Sequence, residues 1–219
     1  MVNPSLISSA DLFAGLAASY IEPIAAASTI RELRRGDVLF LEGDKPEHIY
    51  IVMDGRVAIA NRSPDGRESV VALMEEGDLF GEMGLFGSHG RSAGARALEQ
   101  SQVVVIPYLP VRELYDQHPQ LLWRVVDMLA GRIRNMDNVL ADSVFLDVTG
   151  RTAKRLLELA ADSDSFELPI TQEELAGMVG ASRERVNKAI ASFIKLGWLD
   201  QRDRTYTITD RTQLEIRAR

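Results

Sequence analysis

Cysteine is absent from all 219 residues, which excludes disulfides, iron–sulfur clusters, thiolate zinc sites and a cysteine nucleophile. Histidine is scarce: His48, His89 and His118 lie far apart and share no ligand spacing, so neither a metal nor a haem is expected. No run approaches the roughly 18 apolar residues of a membrane span. The first residues also lack a basic segment followed by an apolar one, so a cytoplasmic chain without a membrane partner is expected. P-loop, GxSxG and HExxH patterns are missing. Glu82 and Arg91, which could be imagined as an acid–base pair, have no nucleophile or histidine beside them, and no enzymatic activity is expected.

What is present is an ordinary globular composition, with 46% hydrophobic and 26% charged residues, in a chain long enough for one or two domains. The net charge of -7 is uneven. Residues 1–147 hold 13 Lys and Arg against 21 Asp and Glu, whereas residues 148–219 hold 12 against 11. The near-neutral C-terminal third can present a basic face, so acidity of the whole chain does not exclude nucleic acid.

A helical opening from Ala10 to about Ala27, interrupted by Pro23, precedes a series of short apolar runs. Val38–Leu41, Ile49–Met53, Val57–Ala60, Val70–Leu73 and Val103–Ile106 are set off by Gly, Asp and Asn. Many short strands at such spacing predict a sandwich, jelly roll or barrel, with Pro64-Asp65-Gly66 as the clearest hairpin turn. Helix follows from Pro110. Between Gln120 and Val144 the residues Leu122, Val126, Leu129, Ile133, Met136 and Leu140 alternate steps of four and three, the narrow seam of a two-helix coiled coil. A linker-like break over Phe145–Gly150 leads to a helix from Arg151 to Ala161 and a polar loop, Asp162–Ser165. Then Thr171-Gln172-Glu173-Glu174 forms a capping box, Gly180-Ala181 a turn, and Ser182 the cap of a second helix to about Leu196. Two helices about a tight glycine turn make a helix-turn-helix, and the strands around Arg202-Asp203-Arg204 make its wing.

The densest chemistry lies in Phe80-Gly81-Glu82-Met83-Gly84-Leu85-Phe86, followed by Arg91-Ser92-Ala93. A cyclic phosphodiester needs backbone donors, an arginine and a hydroxyl, while a ribose 2′-hydroxyl needs a carboxylate acceptor. Gly81 and Gly84 permit close backbone approach, Glu82 supplies the acceptor, and Arg91 with Ser92 the anion pair. Arg91 is expected to serve the phosphate without belonging to the core.

With FLDVTGR at the junction and TQEELAGMVGASRERVNKAI at the helix-turn-helix, this cassette resembles the cyclic AMP receptor protein (CRP/FNR) family of bacterial transcription regulators along nearly the whole chain. The resemblance implies an α+β chain in three parts: a cyclic nucleotide-binding jelly roll over 1–118, a dimerisation helix and hinge over 119–147, and a winged helix-turn-helix over 148–219. It implies cyclic AMP as allosteric ligand, and double-stranded DNA, a second copy and RNA polymerase as partners. By position, Glu82 meets the ribose, Arg91 and Ser92 the phosphate, and the Gly81 and Met83 backbone completes the cradle.

Arg132, flanking the seam, matches an arginine near the nucleotide and Glu82, or else makes an interchain ion pair. Family members responding to cyclic AMP commonly place Thr and then Ser or Asn against the adenine, where this chain has Met136-Asp137. A carboxylate suits the two-donor edge of guanine, so cyclic GMP is the alternative ligand. Thr171, Gln172 and Ser182 fall at the helix starts. Arg183 pairs with guanine and Glu184 with cytosine, and Lys188 stands where the family often has arginine. Two other readings remain: a DNA-binding regulator with another effector or none, and a nucleotide-binding module acting on a partner protein.

Overall fold

The computed structural model describes residues 2–62, 68–87 and 89–219, so the turn expected at Pro64-Asp65-Gly66 lies outside the described residues. The chain forms two compact units, one built from most of residues 2–133 and the other chiefly from 134–219.

The first unit opens with helices α1 (Pro4–Ser9) and α2 (Ala18–Ala27). This corrects the single helix expected from Ala10. Gly15, in the left-handed region at φ +69°, turns the chain between the two helices. Pro23 lies inside α2 without ending it; burial of Ile21, Ile24 and Ala25 offsets the lost backbone donor. Strands follow as β1 (Thr29–Leu33), β2 (Val38–Phe40), β3 (His48–Asp54), β4 (Val57–Arg62), β5 (Glu68–Met74) and β6 (Leu79–Phe80). The short helix α3 (Met83–Phe86), β7 (Gly94–Ala97), β8 (Ser101–Pro107) and α4 (Tyr108–Gln117) come next.

Two four-stranded sheets result, ordered β1-β8-β3-β6 and β2-β7-β4-β5, with β3 antiparallel to β8 and Tyr50 opposite Val105. The continuous apolar runs of β3 and β8 have a simple cause. Ile49, Ile51, Val104 and Ile106 pack with α1, α2 and α4, while the alternating Tyr50, Val52 and Val103 pack with Val57, Ala95 and Ala97 of the other sheet. Both faces are covered, so both sets are apolar.

Helix α5 (Leu122–Phe145) carries the heptad stripe. Its Val125 joins the core of the first unit, and Leu129 packs against that core. Val126, Ile133, Met136 and Leu140 are exposed, Met136 at 71%. The stripe is therefore not consumed by the fold of its own chain.

In the second unit α6 (Val148–Ala160) starts three residues before the helix expected there, because Asp147 caps it. Next come β9 (Ser165–Glu167), α7 (Gln172–Val179), α8 (Arg183–Lys195), β10 (Leu199–Arg202), β11 (Thr205–Ile208) and α9 (Arg211–Arg217). The strands form a sheet ordered β10-β11-β9. Tyr206, Phe193, Leu156 and Leu175 lie in its core.

Asp147 accepts a hydrogen bond from the Gly150 N–H at 2.8 Å and pairs with Arg217 in the last turn of α9. The Gly150 N–H, helped by the Arg217 guanidinium, holds its carboxyl below the usual 3.8. A lowered carboxyl contributes stability that is present above its ordinary pKa and is lost as pH falls through the lowered value. Asp147→Ala should accordingly cost about 1 kcal/mol in denaturant unfolding at neutral pH, with the difference from wild type shrinking as pH drops below 3.8.

Candidate ligand site and nucleic-acid interface

At the end of β6 the chain turns at Gly81, φ +81°, where an added Cβ would stand 2.8 Å from Nη1 of Arg91. Only glycine allows that approach. Gly84 is equally constrained, since a Cβ there would lie 2.3 Å from Pro46. Gly81, Glu82, Met83, Gly84, Arg91, Ser92 and Arg132 line one cleft, with Phe40, Ile59, Ala72, Met74, Phe80 and Ala93 as its other walls. The cleft is open to solvent on one side, and its empty space counted to the mouth is about 540 Å³.

Glu82 is 1% exposed. One of its carboxylate oxygens takes an ion pair from Arg132, and Arg132 also donates to the Leu79 carbonyl at 3.2 Å. Burial raises the Glu82 carboxyl above its usual range, against the opposing pull of Arg132. The pair forms within one chain and joins the end of β6 to Arg132 across 50 residues.

Arg91 is buried at 7% exposure, which corrects its expected place outside the core. Its Nη1 donates to the Gly81 carbonyl at 2.7 Å and to the Tyr108 hydroxyl at 3.2 Å, and its Nη2 to the His48 carbonyl at 2.8 Å. The guanidinium also lies over the Phe40 ring, 4.1 Å from the centroid. These acceptors are all neutral. Among the described residues, three buried side-chain polar atoms lack a hydrogen-bond partner, and two of them, Oε2 of Glu82 and Nε of Arg91, belong to this cleft. The Ser92 side chain is exposed, its hydroxyl 3.7 Å from the Met83 sulfur. Met136 and Asp137, further along α5, are exposed and do not line the cleft. Phe40, Met74 and Tyr108 carried no local signal in the sequence, because their place in the site comes from strand pairing and helix packing.

In the second unit the capping box is complete. The Thr171 hydroxyl accepts from the Glu174 N–H at 3.2 Å, and the Glu174 carboxylate accepts from the Thr171 N–H at 2.6 Å. Gln172 turns inward, donating to the Tyr206 hydroxyl at 2.6 Å. Gly180 ends α7 at φ +68°, a left-handed cap. Ser182 opens α8 by accepting from the Arg185 N–H. Helix α8 buries Val186, Ala189, Ile190 and Phe193 and exposes Arg183, Glu184, Asn187 and Lys188. Their spacing places these four on one helix face. Asn187 joins it without having been assigned a role from the sequence.

A cleft with a buried carboxylate and a buried arginine in a jelly roll, together with a winged helix-turn-helix, defines the class of ligand-responsive DNA-binding regulators. Residues 30–118 match the cyclic nucleotide-binding domain family, and residues 150–217 match the Crp-like helix-turn-helix domain. The chain is 36% identical, over 91% of its length and 94% of the relative's, to the CRP-like cAMP-activated global transcriptional regulator of Mycobacterium tuberculosis. In structure it resembles FixK2 from Bradyrhizobium japonicum, with TM-score 0.78 at 22% identity, covering 86% of this chain and 96% of that one, a likeness of fold alone. It also resembles the c-di-GMP responsive global regulator CLP of Xanthomonas campestris, with TM-score 0.74 at 28% identity, covering 88% and 99%. The chain belongs to the CRP/FNR family of transcription regulators. Its relatives are regulators and not enzymes, and among the described residues no helix is long and apolar enough to cross a membrane.

The ion pair between buried Glu82 and partly exposed Arg132 yields a prediction. Arg132→Met leaves the Glu82 carboxylate without its cation and should lower the unfolding free energy by about 1–2 kcal/mol at pH 7, less than for a fully buried pair. The deficit should shrink as pH falls and the carboxyl protonates, and adding Glu82→Gln should remove most of it.

Proposed function

We propose that this regulator is a homodimer activated by cyclic AMP that binds a two-fold symmetric DNA site. The carrying observation is the pair of orphaned buried atoms in one cleft, an acceptor on Glu82 and a cationic donor on Arg91. Buried polar groups are normally satisfied. A ribose 2′-hydroxyl and a phosphodiester oxygen are the two complements this pair lacks, with the Ser92 hydroxyl and the backbone at Gly81 and Met83 beside them. Cyclic AMP is favoured over cyclic GMP by the activator that the Mycobacterium tuberculosis relative's name gives.

The exposed α5 stripe favours pairing with the same helix of a second copy. Ligand uptake acts on this helix through Arg132, which stands on α5 and holds Glu82, and so shifts the dimer toward its DNA-binding arrangement. Arg183, Glu184 and Lys188 then read base edges, with Thr171 and Ser182 at the helix starts set toward phosphates, while Gln172, held inward by Tyr206, takes no part. In this scheme residues 1–118 bind ligand, 119–147 dimerise and hinge, and 148–219 bind DNA. A DNA-bound regulator of transcription works in the cytoplasm, with RNA polymerase as partner.

Calorimetry with cyclic AMP and cyclic GMP tests the ligand. Cyclic AMP should bind more tightly, and Arg91→Lys, which keeps the charge but loses the planar fork, should weaken it about 30-fold. Absence of heat with either nucleotide would refute the ligand. Mobility shifts test the DNA partner: Arg183→Ala should cost about 1–3 kcal/mol and relax discrimination at one base pair in each half-site. An equal loss on random DNA would make Arg183 a phosphate contact instead.

A further inference from the structure

The Arg91 guanidinium is held from one side by a group outside the cassette. Tyr108, the first residue of α4, is 5% exposed, and its hydroxyl donates to the Gly81 carbonyl while accepting from Arg91 Nη1 at 3.2 Å. Nη1 donates to the same Gly81 carbonyl at 2.7 Å. Three polar atoms thus close a triangle. A phenol has one proton, and here the carbonyl takes it, so the oxygen lone pair is left for the guanidinium and the polarity of the triangle has one solution. Burial raises the Tyr108 phenol above its ordinary pKa, which keeps that proton in place.

The same face of α4 supports the rest of the cassette. Arg112 donates to the Leu85 carbonyl at 3.3 Å, and the Tyr115 ring lies 5.8 Å from that of Phe86. Positions 108, 112 and 115 are one stripe of a helix. An added Cβ at Gly84 would come within 2.9 Å of the Tyr108 hydroxyl, so that hydroxyl sits against the cassette backbone at two points.

We infer that Tyr108 is the positioning residue of the anion site: by fixing the Gly81 carbonyl and one edge of the Arg91 guanidinium, it decides which exocyclic oxygen of a cyclic phosphodiester Arg91 engages. This rests on the cleft being a cyclic nucleotide site. Tyr108 itself need not touch the ligand. Tyr108→Phe keeps the ring and its packing and removes only the hydroxyl, which frees the guanidinium to rotate.

The test uses the full chain, wild type and Tyr108→Phe, titrated with cyclic AMP and with the two diastereomeric cyclic phosphorothioates, in which sulfur replaces one exocyclic oxygen or the other. The expected results are a wild type that distinguishes the diastereomers, and a variant that binds cyclic AMP about tenfold more weakly, with the ratio of diastereomer affinities moving toward one. Unfolded protein binds neither diastereomer, so the ratio is insensitive to partial unfolding of the variant. A variant that loses affinity but keeps the wild-type ratio overturns the proposal, as does a wild type that binds both diastereomers equally. A wild type that binds none of the three compounds overturns the ligand assignment, and this proposal with it.

Discussion

A guanidinium taken out of water is the constraint on which the ligand-binding unit depends. Removing a cation from water costs several kcal/mol unless its donors are met, and Arg91 meets that cost with the carbonyls of Gly81 and His48, the hydroxyl of Tyr108 and the face of Phe40. Those groups come from the end of β6, the start of β3, the start of α4 and β2. One side chain therefore ties four elements into a single geometry. The left-handed Gly81 follows from the same requirement, since any larger residue would displace the guanidinium.

Beside it, Glu82 and Arg132 form a second charged contact with a different consequence. The carboxylate is nearly inaccessible, and its cation stands on α5, the helix that also carries the exposed apolar stripe. Any ligand group that competes for Glu82 acts directly on a residue of that helix. Coupling between ligand and α5 thus needs no long chain of intermediates.

The second unit is stabilised by more local means. Asp147, Thr171, Ser182 and Asp210 cap α6, α7, α8 and α9 through their side chains. With the helix starts set by caps and the glycine turn set by Gly180, the buried faces of α6, α7, α8 and α9 and the three-stranded sheet are left to packing. Arg183, Glu184, Asn187 and Lys188 are exposed as a result, because Val186, Ala189, Ile190 and Phe193 claim the opposite side of the helix.

Features that depend on near neighbours in the chain were legible in the sequence. The capping box at Thr171, the turn at Gly180, the heptad spacing on α5 and the alternation of short strands are all local, and each appeared where the pattern placed it. The grouping of Gly81, Glu82, Arg91 and Ser92 was legible too, because those residues lie close together in the chain. What the sequence alone left undecided needed distant segments to meet. Burial of Arg91 depends on the His48 carbonyl and on Tyr108; the pairing of Arg132 with Glu82 spans 50 residues; and the inward turn of Gln172 depends on Tyr206. The opening segment departs from a single helix because Gly15 turns the chain between α1 and α2, while burial of Ile21 and Ile24 carries α2 through Pro23. Side-chain patterns along the chain determined which elements form, and desolvation of a few polar groups between distant elements decided how the site is built.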